Sequence, residues 1–197
     1  MRIVVRTYQF SGNPVSLTAA RHRQRPRRKE DVMDISHFLN SHMLDPSLGG
    51  KALYRNMMAQ ALHAEACGFR GVSIPEHHLV NILLVPSTLQ FAVAIAARTE
   101  RMEIATAVCQ LPIRDMRIFA GELVQAQALC GGRLVLGVGK GAFGYETGRL
   151  DVPMEETKPH FEEALKVLEA LLTREEVSWK GTWYNFEALT IMPRPED

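Results

Sequence analysis

No apolar run in this chain approaches the roughly 20 residues of a membrane-spanning helix, so the 197 residues hold no helical membrane anchor. Cysteine is scarce. Cys67, Cys109 and Cys130 are scattered and odd in number, and none has the close spacing of a metal or redox pair. That argues against a disulfide framework and fits buried thiols of a cytoplasmic protein. Acidic residues are missing from positions 1 to 29, which carry eight Lys or Arg. The rest holds fifteen basic residues against all 22 acidic ones, a net charge of −7. The basicity is concentrated in Arg21-His22-Arg23-Gln24-Arg25-Pro26-Arg27-Arg28-Lys29. Such a run suits a targeting or nucleic-acid segment, but a nucleic-acid module also needs stacking aromatics or a reading helix, and this arm has neither. It is read as a solvated, poorly ordered insertion, with no nucleic-acid partner.

What is present is enough for one domain with a real core: 46% of the residues are hydrophobic. Met1 to Val5 reads as a first strand within residues 1–10, and 11–50 as an irregular basic insertion. From Ala52 onward strands and helices alternate. Leu53, Met57, Ala61, Leu62 and Ala64 follow helical spacing up to Cys67-Gly68. Gly71 to Ile74 is a β-branched strand, Leu89 to Ala97 a helix, Met102 to Val108 a strand, Ile118 to Leu129 a helix and Leu134 to Val138 a strand. Thr157-Lys158-Pro159 opens a long helix with an apolar stripe from Phe161 to Leu172. Val177–Trp179 and Trp183–Phe186 read as a hairpin. Strands near 72, 104 and 134 recur at the spacing of βαβ units, which predicts a parallel sheet in an α/β fold. Four β/α units and a hairpin make half of a TIM-type (β/α)8 barrel.

The most informative stretch is Ile74-Pro75-Glu76-His77-His78. A carboxylate and two imidazoles stand where a strand stops, the edge at which α/β proteins place their chemistry. Imidazole titrates near neutral pH, so Glu76, His77 and His78 are the first candidates for proton chemistry. A metal reading needs another ligand from a neighbouring strand end, and only Cys109 offers one. It leaves a metal-dependent hydrolase as an outside alternative. Gly139-Lys140-Gly141-Ala142-Phe143-Gly144 fits GxGxxG formally, but no helix is expected straight after it, so phosphate-on-helix geometry is not predicted. The loop is read instead as backbone that must approach something flat or bulky, with Lys140 available to an anionic ligand. Ala105-Thr106-Ala107-Val108 ends its strand in small residues, which suit either a planar ring or plain packing.

In order, these motifs resemble the bacterial luciferase-like flavin monooxygenases. Gly68-Phe69 through Glu76-His77-His78 is similar to the family's second strand, and Arg98 to Arg101 with Ala105 to Pro112 to its third. Gly131-Gly132-Arg133-Leu134 through Gly141 is similar to its fourth strand and Gly-x-Gly loop. Phe161 to Leu165, Trp183 to Phe186 and Pro193-Arg194-Pro195 match the helix and hairpin that follow. Thr7-Tyr8-Gln9 is weakly similar to the first strand. The resemblance covers roughly residues 50 to 197, with 51–197 as the N-terminal half of the barrel. It implies an oxidoreductase in which reduced FMN acts with molecular oxygen on a small organic substrate; a sister branch uses a deazaflavin instead. A flavin reductase or other source of reduced cofactor is then an implied partner. The resemblance also implies that His77 lies beside the flavin in proton transfer, with Glu76 orienting it or holding its loop. Ala107 and Val108, often through a non-proline cis peptide, and Gly139, Lys140 and Gly141 line the flavin pocket.

Members of that family usually exceed 300 residues, so this chain stops short of the expected fifth strand. A truncated reading frame, a half-barrel that dimerises along its open edge, and a short relative that binds flavin or a partner without catalysis all stay open. A homo-oligomer is expected.

Overall fold

A computed structural model describes residues 6–7 and 34–196. Four short strands lie side by side in it, all parallel: β2 (Ser36–Phe38), β3 (Gly71–Ile74), β4 (Glu103–Thr106) and β6 (Leu134–Val135). β4 and β6 continue, after a break in each, as β5 (Cys109–Gln110) and β7 (Gly137–Gly139), which pair with each other. β1 (Arg6–Thr7) pairs in parallel with Gly137–Val138 of β7. α1 (Gly49–Ala66), α2 (Thr88–Ala96) and α3 (Met116–Leu129) join successive strands. α4 (Gly144–Thr147) and α5 (Thr157–Thr173) follow β7, and β8 (Val177–Lys180) with β9 (Asn185–Leu189) forms an antiparallel hairpin. Consecutive helices pack together, α1 on α2, α2 on α3 and α3 on α5. The result is an α/β fold of four β/α units plus a hairpin, of TIM-barrel type and without closure among the described residues.

Local sequence explains most of these elements. α3 starts two residues before its apolar run because the Asp115 side chain accepts from the Arg117 amide at 2.9 Å and so caps it. α5 buries Ala164, Leu165, Leu168 and Leu171 of its predicted stripe and leaves Phe161 and Leu172 half-buried. The core between helices and strands is built on Met57, Ile74, Ile95, Ile104, Phe119 and Leu168, all essentially inaccessible.

The N-terminal region differs from expectation. Residues 36–38, inside the stretch read as irregular, form the first strand of the β/α series. Arg70 N donates to Ile35 O and Leu39 N to Ser73 O, both at 2.9 Å, and Leu39 is fully buried. The strand escapes pattern reading because it is three residues long and opens on Ser36 and His37. Arg6–Thr7 is extended and lies against β7 rather than beside β2. Met1 to Val5, Tyr8, Gln9 and the arm 21–29 lie outside the described residues.

The breaks in β4 and β6 are stitched by Thr106. Its hydroxyl donates to Gly137 O at 2.8 Å and accepts from Gly137 N at 2.9 Å. A Cβ at Gly137 would fall far inside the radius of the Thr106 carbonyl oxygen, a backbone atom that cannot swing away. Gly137→Ala is therefore expected to cost about 1–3 kcal/mol, the usual scale of overpacking, read as a lower urea midpoint at unchanged slope.

Candidate active site

The C-terminal ends of β3, β4 and β7 converge. Ala107 N donates to Ile74 O at 2.7 Å, which joins the end of β4 to the end of β3. The Ala107–Val108 peptide is cis, and both residues are half-buried. Gly139 lies against Val108: a Cβ there would sit 2.6 Å from Val108 Cγ2. Gly141, at φ +85°, would place its Cβ 2.7 Å from Gln110 Oε1 and 2.9 Å from Thr147 Cγ2. The loop glycines are thus required by the close approach of this loop to neighbouring protein, Val108, Gln110 and Thr147. Lys140 between them is exposed. α4 does open straight after the loop, contrary to expectation. It is a single turn, and it delivers Glu146 inward.

Glu76 is buried in a cage of donors. Arg114 grips both carboxylate oxygens, Nη1 to Oε1 and Nη2 to Oε2, each at 2.8 Å. Gln110 N donates to Oε1 at 3.0 Å, His78 Nε2 lies 3.2 Å from the same oxygen, and Thr88 Oγ1 donates to Oε2 at 3.4 Å. Burial alone would raise the carboxyl's pKa; His78, Arg114 and the Gln110 amide outweigh it and hold the group below its ordinary value. Arg114 also donates to Gln110 O at 2.7 Å and stands 5.3 Å from the Phe119 ring centroid. Tyr184 of the hairpin turn donates to Arg114 O at 2.9 Å, which ties the hairpin to this cage.

The expected pairing of Glu76 with His77 is not what forms. His77 Nδ1 lies 2.9 Å from Glu146 Oε2, and its ring is tilted against Phe143 at 5.2 Å between centroids. His77 Nε2 has no hydrogen-bond partner among the described residues, and 15% of the side chain is exposed. Glu146 and Arg114 carry no sequence signal of their own beyond being charges that follow strand ends.

Cys109, the one further metal ligand the sequence offered, is fully buried, and burial pushes its thiol up to about 12. It remains protonated at neutral pH, 3.1 Å from Thr88 Oγ1. Among the described residues no three His, Cys, Asp or Glu side chains are grouped to hold a metal. Glu76, saturated by Arg114, has no oxygen to spare. In the folded protein Cys109 is expected to resist iodoacetamide that alkylates exposed Cys67, as peptide mapping would show.

The residues present fit one wall of a flat, mainly apolar group: Ala107, Val108 and Gly139 half-open, His77 Nε2 without a hydrogen-bond partner among the described residues, and one exposed lysine. A separate groove of about 650 Å³ between α1 and α2, lined by Tyr54, Met58, Leu62, Val85 and Phe91, holds none of these residues.

The same arrangement of strands recurs in proteins already characterised. The oxygenating constituent of the 3,6-diketocamphane monooxygenase of Pseudomonas putida, solved in complex with FMN, superposes with a TM-score of 0.75 at 18% identity, over 82% of this chain and 45% of its own. In sequence, limonene 1,2-monooxygenase of Rhodococcus erythropolis is 30% identical over 122 residues, covering 62% of this chain and 32% of that enzyme. An F420-dependent glucose-6-phosphate dehydrogenase of Beutenbergia cavernae is 32% identical over 154 residues, 72% of this chain and 44% of the enzyme. The chain thus spans a third to just under half of the length of these relatives. The luciferase-like monooxygenase family itself is matched over residues 33–197, from just before β2 to the end of the chain. That stretch contains every β/α unit and strand end of the site, and by it the chain belongs to the luciferase-like monooxygenase family.

Proposed function

We propose that this chain forms the N-terminal wall of a flavin-dependent monooxygenase acting with molecular oxygen on a small organic substrate. Reduced FMN is the cofactor favoured, with a deazaflavin as the alternative. The supporting observation is Nε2 of His77, without a hydrogen-bond partner among the described residues, standing at the strand ends that also present Ala107, Val108 and Gly139. When bound, the reduced flavin would supply the electrons that activate oxygen. The chain's own residues do the rest. Ala107 and Val108 offer apolar contact to a ring, and Lys140 offers a cation to its anionic form. His77 holds or moves a proton at Nε2. Glu76 is a buried counter-charge that fixes the loop through Arg114 and His78, outside the proton path. A reductase supplying reduced flavin, a cytoplasmic location and a homo-oligomer accompany this reading.

Anaerobic titration of reduced FMN and of reduced F420 tests it, with the full chain alone and with the chain mixed with the C-terminal half of a relative's barrel. Binding is expected to appear or to tighten at least tenfold on complementation, followed by substrate-dependent flavin oxidation in air. Binding without oxidation would favour a non-catalytic flavin protein. Absence of both would end the assignment.

A further inference from the structure

We infer that Glu146 is the positioning residue of this site: it fixes the neutral His77 ring with its proton on Nδ1 and so leaves the Nε2 lone pair free. The inference rests on the reading of His77 as the proton-handling group. Glu146 is fully buried, on the single turn that follows the glycine loop. Three nitrogens converge on its carboxylate. The His78 backbone N–H, which can only donate, bonds Oε1. Gln110 Nε2 donates to the same oxygen at 2.9 Å. Reversing the Gln110 amide would set its carbonyl oxygen against a carboxylate, so that donor is fixed as well. Oε2 is left for His77 Nδ1 at 2.9 Å. An ionised carboxylate only accepts, and a neutral imidazole carries a proton on one nitrogen alone. Nδ1 is therefore the protonated nitrogen.

Its neighbour is held the opposite way. His78 Nε2 donates to Glu76, itself an acceptor gripped by Arg114. Two adjacent imidazoles are thus locked in opposite tautomers by two carboxylates that lie 70 positions apart in the chain. Among the described residues the second nitrogen of each ring, Nε2 of His77 and Nδ1 of His78, has no hydrogen-bond partner. The crossed pairing therefore makes the two histidines chemically distinct, because each keeps its lone pair on a different nitrogen.

Glu146→Gln makes a sharp test because of where the two fixed donors sit. To keep accepting from His78 N and Gln110 Nε2, the new side chain must place its oxygen at the Oε1 position. Its NH2 then faces His77 Nδ1, which has to become the acceptor. The proton moves to Nε2 and the lone pair is lost from the strand-end side. With 15N-histidine in the full chain, long-range 1H–15N correlation above the imidazole titration range reads both states, since protonated and unprotonated ring nitrogens resonate far apart. The His77 signals are assigned by their loss in His77→Gln. The expected result is Nδ1–H in the native chain and Nε2–H in Glu146→Gln. In the complemented barrel the variant should lose turnover by about 10²–10⁴-fold, the scale of general acid–base catalysis. An Nε2–H tautomer in the native chain would overturn the inference, and this measurement suffices even if the variant does not fold. Retention of Nδ1–H in the variant would overturn it too. Inversion of the tautomer with unchanged turnover would uphold Glu146 as the positioning residue and instead remove the proton role of His77.

Discussion

Replacing Arg114 by methionine should destabilise the fold by about 3–5 kcal/mol, the cost of leaving a buried charge without its partner. The Glu76 side chain has no exposed surface and that of Arg114 is only 18% exposed, so solvent cannot take over the lost contacts. Methionine fills much of the volume but supplies none of the guanidinium's three donor contacts to Glu76 and the Gln110 carbonyl. The remaining partners, Gln110 N, His78 Nε2 and Thr88 Oγ1, stabilise a full negative charge far less well. For a domain whose whole stability is of order 5–15 kcal/mol, the loss is large, and it should be plain in a urea or thermal melt.

The same substitution carries a pH signature. In the native chain Glu76 is held below its ordinary value of 4.5. A carboxyl depressed in the folded state contributes stability that is fully present above the unfolded pKa and is lost as pH falls through the folded one. Without Arg114, burial dominates and the folded-state pKa moves up, so the variant recovers by taking a proton where the native protein does not. The stability gap between the two should therefore be widest at neutral pH and narrow as pH falls through the usual glutamate range. A gap independent of pH would mean that Arg114 acts through packing on Phe119 and Tyr184 rather than through charge. Adding Glu76→Gln to Arg114→Met should restore part of the loss, because the orphaned charge is then gone.

What could be read from sequence and what could not divides by range of interaction. α5 announces itself because one apolar stripe at helical spacing is a local pattern, and β3 because four residues bounded by Gly71 and Pro75 are too apolar for a loop. His77 stands out because it follows a strand end directly. β2 is invisible because its pairing, not its composition, makes it a strand: three residues are held by β3 and by the flanking bonds of Ile35 and Leu39. α4 is hidden because Gly144-Tyr145-Glu146-Thr147 is a single turn with no period to detect. The partners that organise the site are harder still. Glu146 lies 69 positions from His77, and Arg114 lies 38 from Glu76. Proximity in sequence favoured Glu76 as the partner of His77. The strand end instead turns Glu76 into the interior toward Arg114 and leaves His77 to a carboxylate delivered by the next loop but one.

His77→Ala should lower turnover of the complemented barrel by about 10²–10⁴-fold while leaving reduced-flavin affinity nearly unchanged. The rate argument follows from the ring's two ends: Nδ1 is engaged by Glu146, and Nε2 is the unpartnered nitrogen at the strand ends. Removing the ring takes away the group that holds the proton and a contact with Phe143, but leaves Ala107, Val108 and Gly139, which supply the contact surface, in place. The fold should tolerate the change, because Glu146 keeps the His78 amide and Gln110 as donors and His77 is itself only half-buried. His78→Ala is the contrasting case. It removes one donor from Glu76, which retains Arg114 and the Gln110 amide, so it should weaken the loop modestly and change turnover by only a few-fold. Separate measurement of kcat and of flavin Kd decides between the roles. If His77→Ala weakened affinity as much as rate, the imidazole would be a binding group. If both variants lost rate equally, the distinction between a positioned base and a structural histidine, which the crossed carboxylate pairing demands, would fail.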